Sequence, residues 1–142
     1  MRYYIADCHF CQKNLLTEMD NRGFESVEQM NEMMIEKWNK KVHARDEVVI
    51  LGDLSLGNGK ETNEILCRLK GRLCLIQGNH DERYLRDKDF DASRFEWVKD
   101  YAEIHDNKRK IVLMHYPVFC YNGQFRRGPD GTPLTYMLHG HI

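Results

Sequence analysis

Residues 73–81 read LCLIQGNHD, in which four apolar residues lead into a polar turn. A short apolar run of this kind is typical of a buried β-strand. The same order occurs upstream, where Val48–Leu51 is followed by Gly52 and Asp53. Because ligands bind beyond the carboxyl ends of the strands in α/β sheets, these strand ends predict a functional site at one edge of a sheet.

Two helices are predicted between the apolar runs. Ser26 and Gln29 match a capping box at the start of the first helix. Apolar residues then recur at helical spacing, at Val27, Met30, Met34, Trp38 and Val42. Thr62–Leu69 is the second helical segment, and it ends near Gly71. The alternation of strand and helix, which starts with an apolar run at Tyr3–Ala6, predicts an α/β domain whose early strands are parallel.

The second half of the chain has a different pattern. Trp97–Ile104 and Ile111–Met114 flank a charged turn and predict an antiparallel hairpin. Leu134–Leu138 predicts a further strand. Residues Asn122–Pro133 include three glycines and two prolines, so we expect an irregular loop there.

Size, charge and cysteine usage limit the classes of function. The 142 residues suit one domain, which we place at residues 1–142. A formal net charge of −1 provides no general attraction for nucleic acid, and the apolar runs are too short for a signal peptide or a membrane span. Five cysteines, several of them in predicted strands, argue against a disulfide framework and favour a cytoplasmic location. Cys8 and Cys11 form a C-x-x-C pair, which leaves open redox chemistry or half of a zinc site.

Residues that can bind metal ions follow the predicted strands. They are Asp7, His9, Asp53, Asn79, His115 and His141. Carboxylates, imidazoles and a carboxamide form a mixed oxygen and nitrogen set that suits divalent manganese, iron, zinc or nickel better than calcium. Asp7 and His9 can bind one ion together, while the two oxygens of Asp53 can bridge two ions. Two cations roughly 3.5–4 Å apart lower the pKa of a bridging water and stabilise both oxygens of an in-line displacement, which is phosphoester chemistry.

Each of these motifs is weak when it is taken alone. Histidines need not be ligands, and an aspartate after a strand is often a turn or capping residue. The turn Gly78–Asp81 is more specific, because it places an imidazole beside a carboxylate that can orient it. Five such sites in one order, all at predicted strand ends, are hard to attribute to chance.

The ordered motifs resemble those of the calcineurin-like metallophosphoesterase family, whose pattern is D-x-H, G-D, G-N-H-D or E, H and G-H-x-H. The resemblance spans nearly the whole chain, and Asp7–Asn14 is similar to a branch of compact bacterial and phage phosphoesterases. It implies a fold of two facing mixed β-sheets flanked by helices. It also implies a hydrolase that cleaves a phosphate mono- or diester with water activated at a dinuclear metal site.

The same resemblance implies a role for each residue of the motifs. Asp7 and His9 bind the first metal, and Asp53 bridges the two. The second metal is bound by Asn79, His115 and His141. His80 donates a proton to the leaving oxygen, and Asp81 sets the orientation of His80.

One departure from the family pattern affects these expectations. The last histidine of G-H-x-H would follow Ile142, so we expect the first metal to lack a ligand, for which His139 is a poor substitute. This departure leaves open a metal-binding but catalytically weak domain, either truncated or regulatory. Arg126 and Arg127 lie near several aromatic residues, which suggests either contacts to a small phosphate ester, the expected partner, or a nucleic-acid-binding module.

Overall fold

The computed structural model describes residues 1–12 and 26–141, so Asn14 and Ile142 lie outside the described residues. The strands are β1 (Arg2–Ile5), β2 (Glu47–Ile50), β3 (Arg72–Ile76), β4 (Phe95–Lys99), β5 (Tyr101–Asp106), β6 (Arg109–Met114) and β7 (Thr135–Leu138). The helices are α1 (Val27–Lys41), α2 (Gly59–Arg68) and α3 (Glu82–Leu85). A single turn of 3-10 helix at Ala92–Arg94 precedes β4.

The strands form two sheets. The first has the order β1-β2-β3-β4 with all strands parallel, as the alternation of strand and helix predicts. The second has the order β5-β6-β7, in which β5 is antiparallel and β7 parallel to β6. The predicted α/β class with two facing sheets is therefore confirmed, and only the second sheet is mixed.

The central strands of the first sheet are buried on both faces. In β2, Val48 and Ile50 pack with the helices in one core cluster. Val49 and the adjacent Leu51 pack with residues of β5 and β6 in a second cluster. β3 shows the same alternation, with Ile76 on the side of the second sheet. The described helices, the first sheet and the second sheet therefore form three layers, with a core on each side of the first sheet.

Polar caps set where the two longer helices begin. The Ser26 side chain accepts a hydrogen bond from the Gln29 backbone N–H at 3.0 Å, so the predicted start of α1 is confirmed. The start of α2 lies three residues before the predicted Thr62. Asn58 and Glu61 form a capping box there, in which each side chain accepts from the backbone N–H of the other.

The predicted hairpin at Trp97–Ile104 and Ile111–Met114 is only partly correct. β5 and β6 do pair as an antiparallel hairpin. Trp97, however, lies in β4, which pairs in parallel with β3 in the other sheet. The chain passes between the sheets at Asp100. The less exposed apolar positions are odd-numbered in β4, at Phe95 and Trp97, and even-numbered in β5, at Ala102 and Ile104, so the alternation shifts by one residue where the chain changes sheets.

Other predictions concern the loop, the cysteines and the membrane. Within Asn122–Pro133 the structure has turns and one isolated bridge between Arg127 and Pro133, as expected of an irregular loop. The five cysteines all lie in the described residues, and none of them forms a disulfide. Among the described helices, none is both long and apolar enough to cross a bilayer.

Candidate metal centre

The polar residues that follow five of the strands meet at one edge of the sheets. The Asp7 and His9 N–H groups donate to the carbonyl oxygens of Gly52 and Asp53 at 3.0 and 2.9 Å, which extends the pairing of β1 and β2 past the strand ends. The Gly140 N–H donates to the carbonyl oxygen of His115 at 2.9 Å, which joins the segment after β7 to the end of β6. The structure thus brings together all six residues predicted to bind metal, which are Asp7, His9, Asp53, Asn79, His115 and His141.

Asp7, His9 and Asp53 form the first group of converging donor atoms. Their donor atoms all lie within 4.8 Å of one another. The His9 Nε2 is 3.3 Å from the Asp53 Oδ2 and 4.0 Å from the Asp7 Oδ1. The backbone N–H of His141 donates to the Asp7 Oδ2 at 3.1 Å and holds this carboxylate in place. Two carboxylates and one imidazole suit a divalent transition-metal ion.

Asp53, His115 and His141 form the second group, again with donor atoms within 4.8 Å of one another. The His115 Nε2 lies 3.4 Å from the Asp53 Oδ2. The Asn79 Oδ1 is 3.0 Å from the His115 Nε2 and 3.0 Å from the His141 Nδ1. Because the Asp53 Oδ2 faces both groups, the arrangement suits two ions that share one carboxylate.

The hydrogen bonds of His115 indicate which ring nitrogen faces this group. Its Nδ1 lies 2.7 Å from the Leu51 carbonyl oxygen, which can only accept, so Nδ1 is the donor. A neutral imidazole then has its lone pair on Nε2, which points at the oxygens of Asn79 and Asp53. In this tautomer three acceptors face one another, and a metal ion among them would satisfy all three. The donor set therefore fits a metal ion.

The Asp53 carboxylate is buried and ionised. Burial raises the pKa of Asp53, but the hydrogen bonds from His9 and from the His80 backbone lower it by more than burial raises it. The net pKa therefore lies below the usual value for an aspartate. The His80 N–H donates to the Asp53 Oδ1 at 2.9 Å. One oxygen of Asp53 is therefore held by the backbone, while the other is directed at the two donor groups.

The backbone is strained at four residues of the centre. The φ angle is 54° at Asp7, 53° at His9, 55° at Asp53 and 57° at His141. A positive φ is uncommon outside glycine, and each such residue costs on the order of 1–3 kcal/mol. Strain of this kind persists only where the surrounding structure fixes it, and it is typical of functional sites.

Two glycines allow the strand ends to approach one another closely. Gly52 has a φ of 93°, and a Cβ at this position would overlap the Nδ1 of His115. A Cβ at Gly78 would lie 2.6 Å from the Asp53 backbone nitrogen. The glycines of the G-D and G-N-H-D motifs are therefore required by packing around the ligands.

Within the described residues, the hydrogen bonds of the Asp81 carboxylate are with groups other than the His80 side chain. Its Oδ2 accepts from the N–H groups of Asp53 and Gly78, both at 2.7 Å. Its Oδ1 accepts from the Leu54 N–H at 2.9 Å and from the Tyr84 hydroxyl at 2.6 Å. Burial raises the pKa of this fully buried carboxyl, and the four donors oppose that rise. Asp81 therefore joins the loop after β2 to the loop after β3.

Four other residues considered from the sequence lie at the margin of the centre or outside it. The exposed His80 ring is edge-on to the ring of His9, with centroids 5.8 Å apart, and belongs to neither donor group. Arg126 and Arg127 are exposed on the loop after β6, and within the described ranges no contact joins their side chains to the ligands. The Nδ1 of His139 donates to the Gly140 carbonyl oxygen at 2.8 Å, and this residue is also outside both groups.

Sequence reasoning missed several residues that shape the site. The Leu51 carbonyl fixes the tautomer of His115, and no side-chain pattern signals a backbone acceptor. The Tyr116 ring, which the sequence suggested only as one of the aromatics near Arg126 and Arg127, packs edge-on against His141 at 4.7 Å between centroids. Arg83, which lines a pocket next to His80, lies three residues after it on a short helix, and this spacing was visible in the sequence.

The chain is similar in sequence to one described family. The profile of the calcineurin-like phosphoesterase family matches residues 3–142. The uncharacterised protein MJ1445 of Methanocaldococcus jannaschii is 33% identical over 141 residues, which cover 98% of this chain and 67% of that protein. The Gene 66 protein of Mycobacterium phage L5 is 29% identical over 164 residues, which cover 98% of this chain and 75% of that protein.

The fold is also similar to a solved structure. AQ665, a protein of unknown function from Aquifex aeolicus, superimposes with a TM-score of 0.61 and 30% sequence identity. The match covers 82% of this chain and 61% of the AQ665 chain. The chain therefore spans less than two thirds of the solved protein that it resembles.

Proposed function

This chain belongs to the calcineurin-like phosphoesterase family, and we propose that it hydrolyses a phosphate mono- or diester at a centre that binds two divalent transition-metal ions. Family membership supports metal-dependent phosphoester hydrolysis in general. The proposal adds a dinuclear site and its ligands. The observation that carries it is the position of the Asp53 Oδ2, which is 3.3 Å from the His9 Nε2 and 3.4 Å from the His115 Nε2.

Each ion is assigned its own residues. Asp7 and His9 bind the first ion together with Asp53, and the second ion shares Asp53. Its other ligands are Asn79, His115 and His141. When bound, the ions supply the positive charge that activates a water molecule and neutralises the oxygens of the phosphate. Manganese, iron, zinc and nickel all suit this mixed donor set.

His80 is proposed to act on the ester rather than on the metal. Its backbone N–H is fixed by Asp53 at 2.9 Å, and its exposed ring lies beside His9. An imidazole placed next to the ligands, but not among them, can donate a proton to the oxygen that leaves. Protonation lets the ester oxygen leave as the hydroxyl group of a neutral alcohol rather than as an alkoxide. It is therefore most important for alcohols that are poor leaving groups.

The test is turnover of p-nitrophenyl phosphate and of its bis-ester with added manganese, in the wild type and in Asp53→Asn. The substitution preserves shape but removes the one charge that faces both ions, so we expect activity and metal content to fall more than for any other ligand change. Asp89→Asn, at an exposed aspartate outside the centre, is the matched control. An Asp53→Asn protein with two tightly bound metals and near-normal turnover would show that the bridging assignment is wrong.

The competing hypothesis is a metal-binding but catalytically weak domain. It predicts that the wild type binds two ions and hydrolyses neither ester. The same metal analysis and assays, extended to nucleotides, cyclic nucleotides and phosphorylated sugars, separate it from the proposed function. Hydrolysis that requires both metal and Asp53 would exclude it.

A further inference from the structure

A polar pocket opens beside the metal centre on the side of His80. Its volume is about 530 Å³, and its walls are Leu56, Asn79, His80, Glu82, Arg83 and Arg86. The Asn79 Oδ1 also faces the second donor group, where it lies 3.0 Å from the His115 Nε2. Asn79 is therefore common to the pocket and to the second donor group, and the pocket lies next to the place where a phosphate ester would meet the ions.

The charges in this pocket favour an anion. The Arg86 Nη2 pairs with the Glu82 Oε1 at 2.6 Å, so these two charges largely cancel. Within the described part of the chain, no carboxylate pairs with Arg83. Its Nη1 donates instead to the Leu56 carbonyl oxygen at 2.9 Å. The pocket thus keeps the positive charge of Arg83, and this hydrogen bond holds the guanidinium against the wall.

The shape of the arginine side chain narrows the kind of anion. A guanidinium presents a planar fork of N–H donors that matches the oxygens of a phosphate, and only some of these donors are used by Leu56. Among the described residues of the wall, Leu56 has the only apolar side chain, so this part of the pocket offers little to a hydrophobic group. A phosphate group satisfies the charge and the donors together.

We propose that this pocket binds a second phosphate group, carried by the leaving group of the substrate. The inference rests on the proposed function and names its substrate class, which is a small ester with two phosphates. Water adds its hydroxyl group to the phosphorus at the metal centre, and the P–O ester bond breaks. The ester oxygen leaves with the bonding electron pair and takes up a proton. The products are inorganic phosphate and an alcohol that keeps the second phosphate, which Arg83 holds.

The kinetic test compares propane-1,3-diol bisphosphate with propane-1,3-diol monophosphate. A charge-assisted hydrogen bond of the usual strength raises kcat/KM for the bisphosphate by about tenfold or more. Arg83→Gln should abolish this preference, and Arg83→Lys should keep part of it, because the charge remains while the fork is lost. Lys88→Gln, which removes an exposed cation outside the pocket, is the matched control and should leave the preference unchanged.

A binding test decides the proposal without turnover. Isothermal titration calorimetry on the manganese-loaded protein compares propane-1,3-bisphosphonate with propylphosphonate, which are not hydrolysed. Tighter binding of the bisphosphonate, lost in Arg83→Gln and kept in Lys88→Gln, supports the pocket. Equal binding of the two probes to the wild type, or the same preference in Arg83→Gln, overturns it. Failure to hydrolyse both p-nitrophenyl phosphate and its bis-ester contradicts the proposed function instead, and the calorimetric result still decides the pocket.

Discussion

His80 is the residue at which proton transfer and metal binding can be separated. Its side chain lies outside both donor groups, so His80→Ala should keep both ions. Turnover should fall by roughly 10²–10⁴-fold, the range typical of losing a positioned proton-transfer group. The loss should be larger for an alkyl phosphate than for p-nitrophenyl phosphate, because p-nitrophenolate leaves without protonation. Kinetics on both substrates, with elemental analysis, measure this.

The control for this substitution is His105→Ala, at an exposed histidine on β5 that lies in neither donor group. It should change neither metal content nor rate. If His80→Ala loses an ion, His80 is a ligand. If the rate loss is the same for both substrates, its contribution is electrostatic stabilisation rather than protonation.

Asp81 should matter for stability before it matters for chemistry. Asp81→Asn replaces one acceptor oxygen of the carboxylate by an NH2 group, which cannot accept a hydrogen bond. The buried donors that face this atom therefore lose their acceptor. We expect the free energy of unfolding to fall by about 2–4 kcal/mol. Tyr84→Phe removes only one of the four donors and should cost about 1 kcal/mol. Urea denaturation followed by tryptophan fluorescence measures both changes.

A change in catalysis without a change in stability would support the role that the motif suggests for Asp81, which is to orient His80. That role predicts that Asp81→Asn leaves the unfolding midpoint unchanged and shifts the rates for good and poor leaving groups in the same way as His80→Ala. The hydrogen bonds of Asp81 to the N–H groups of Asp53, Leu54 and Gly78 argue against this outcome.

Among the structural elements, the loops after β2 and β3 depend on each other through Gly78. A Cβ there would lie 2.6 Å from the Asp53 nitrogen and 3.0 Å from the Gly52 Cα, and both of these are backbone atoms. Gly78→Ala should therefore push the loops apart, cost about 1–3 kcal/mol and weaken metal binding. Thermal unfolding and manganese titration measure the two effects.

The matched control is Gly128→Ala, because a Cβ at Gly128 would come no closer than 3.3 Å to Asp130 and the loop is exposed. It should leave both the melting temperature and the manganese titration unchanged. Normal manganese binding in Gly78→Ala would mean that the loop adjusts and that the close approach is not needed for the site.

The elements predicted from the sequence are those with a strong local pattern. The runs at Val48–Leu51 and Leu73–Ile76 are apolar on both faces, and both are central strands of the parallel sheet. The Ser26 cap gave the start of α1. The division of Trp97–Ile104 between two sheets was missed, because periodicity reports which residues are buried and not which strand lies beside them.

In the metal centre, too, the residue types were predictable from the sequence, whereas their hydrogen-bond partners were not. The ligand candidates were found because their residue types and order are visible in the sequence, and the structure places them together. The contacts of Asp81 were not predictable from its place beside His80 in the sequence. Two of its four hydrogen-bond donors, the N–H groups of Asp53 and Leu54, lie 28 and 27 residues away, and only the fold brings them to the carboxylate.

At the scale of the whole molecule, the metal centre connects the two sheets. Asp7, Asp53 and Asn79 follow strands of the first sheet, whereas His115 and His141 follow strands of the second. Besides the core between the sheets, hydrogen bonds join these strand ends, among them those from the His115 Nδ1 to the Leu51 carbonyl oxygen and from the His141 N–H to the Asp7 Oδ2. Ions bound by both sets of residues would therefore join the layers at this edge.

Metal binding should for this reason stabilise the entire fold. A ligand at about 100 times its Kd adds about 2.7 kcal/mol to the free energy of unfolding, and for a chain of this length this raises Tm on the order of 5–10 °C. We expect manganese to raise Tm, EDTA to reverse the change and Asp53→Asn to lose most of it, while Asp89→Asn keeps it. Differential scanning calorimetry measures these shifts. If Tm is the same with and without manganese in a protein that binds the ion, the ion binds the folded and unfolded chains equally and does not join the sheets.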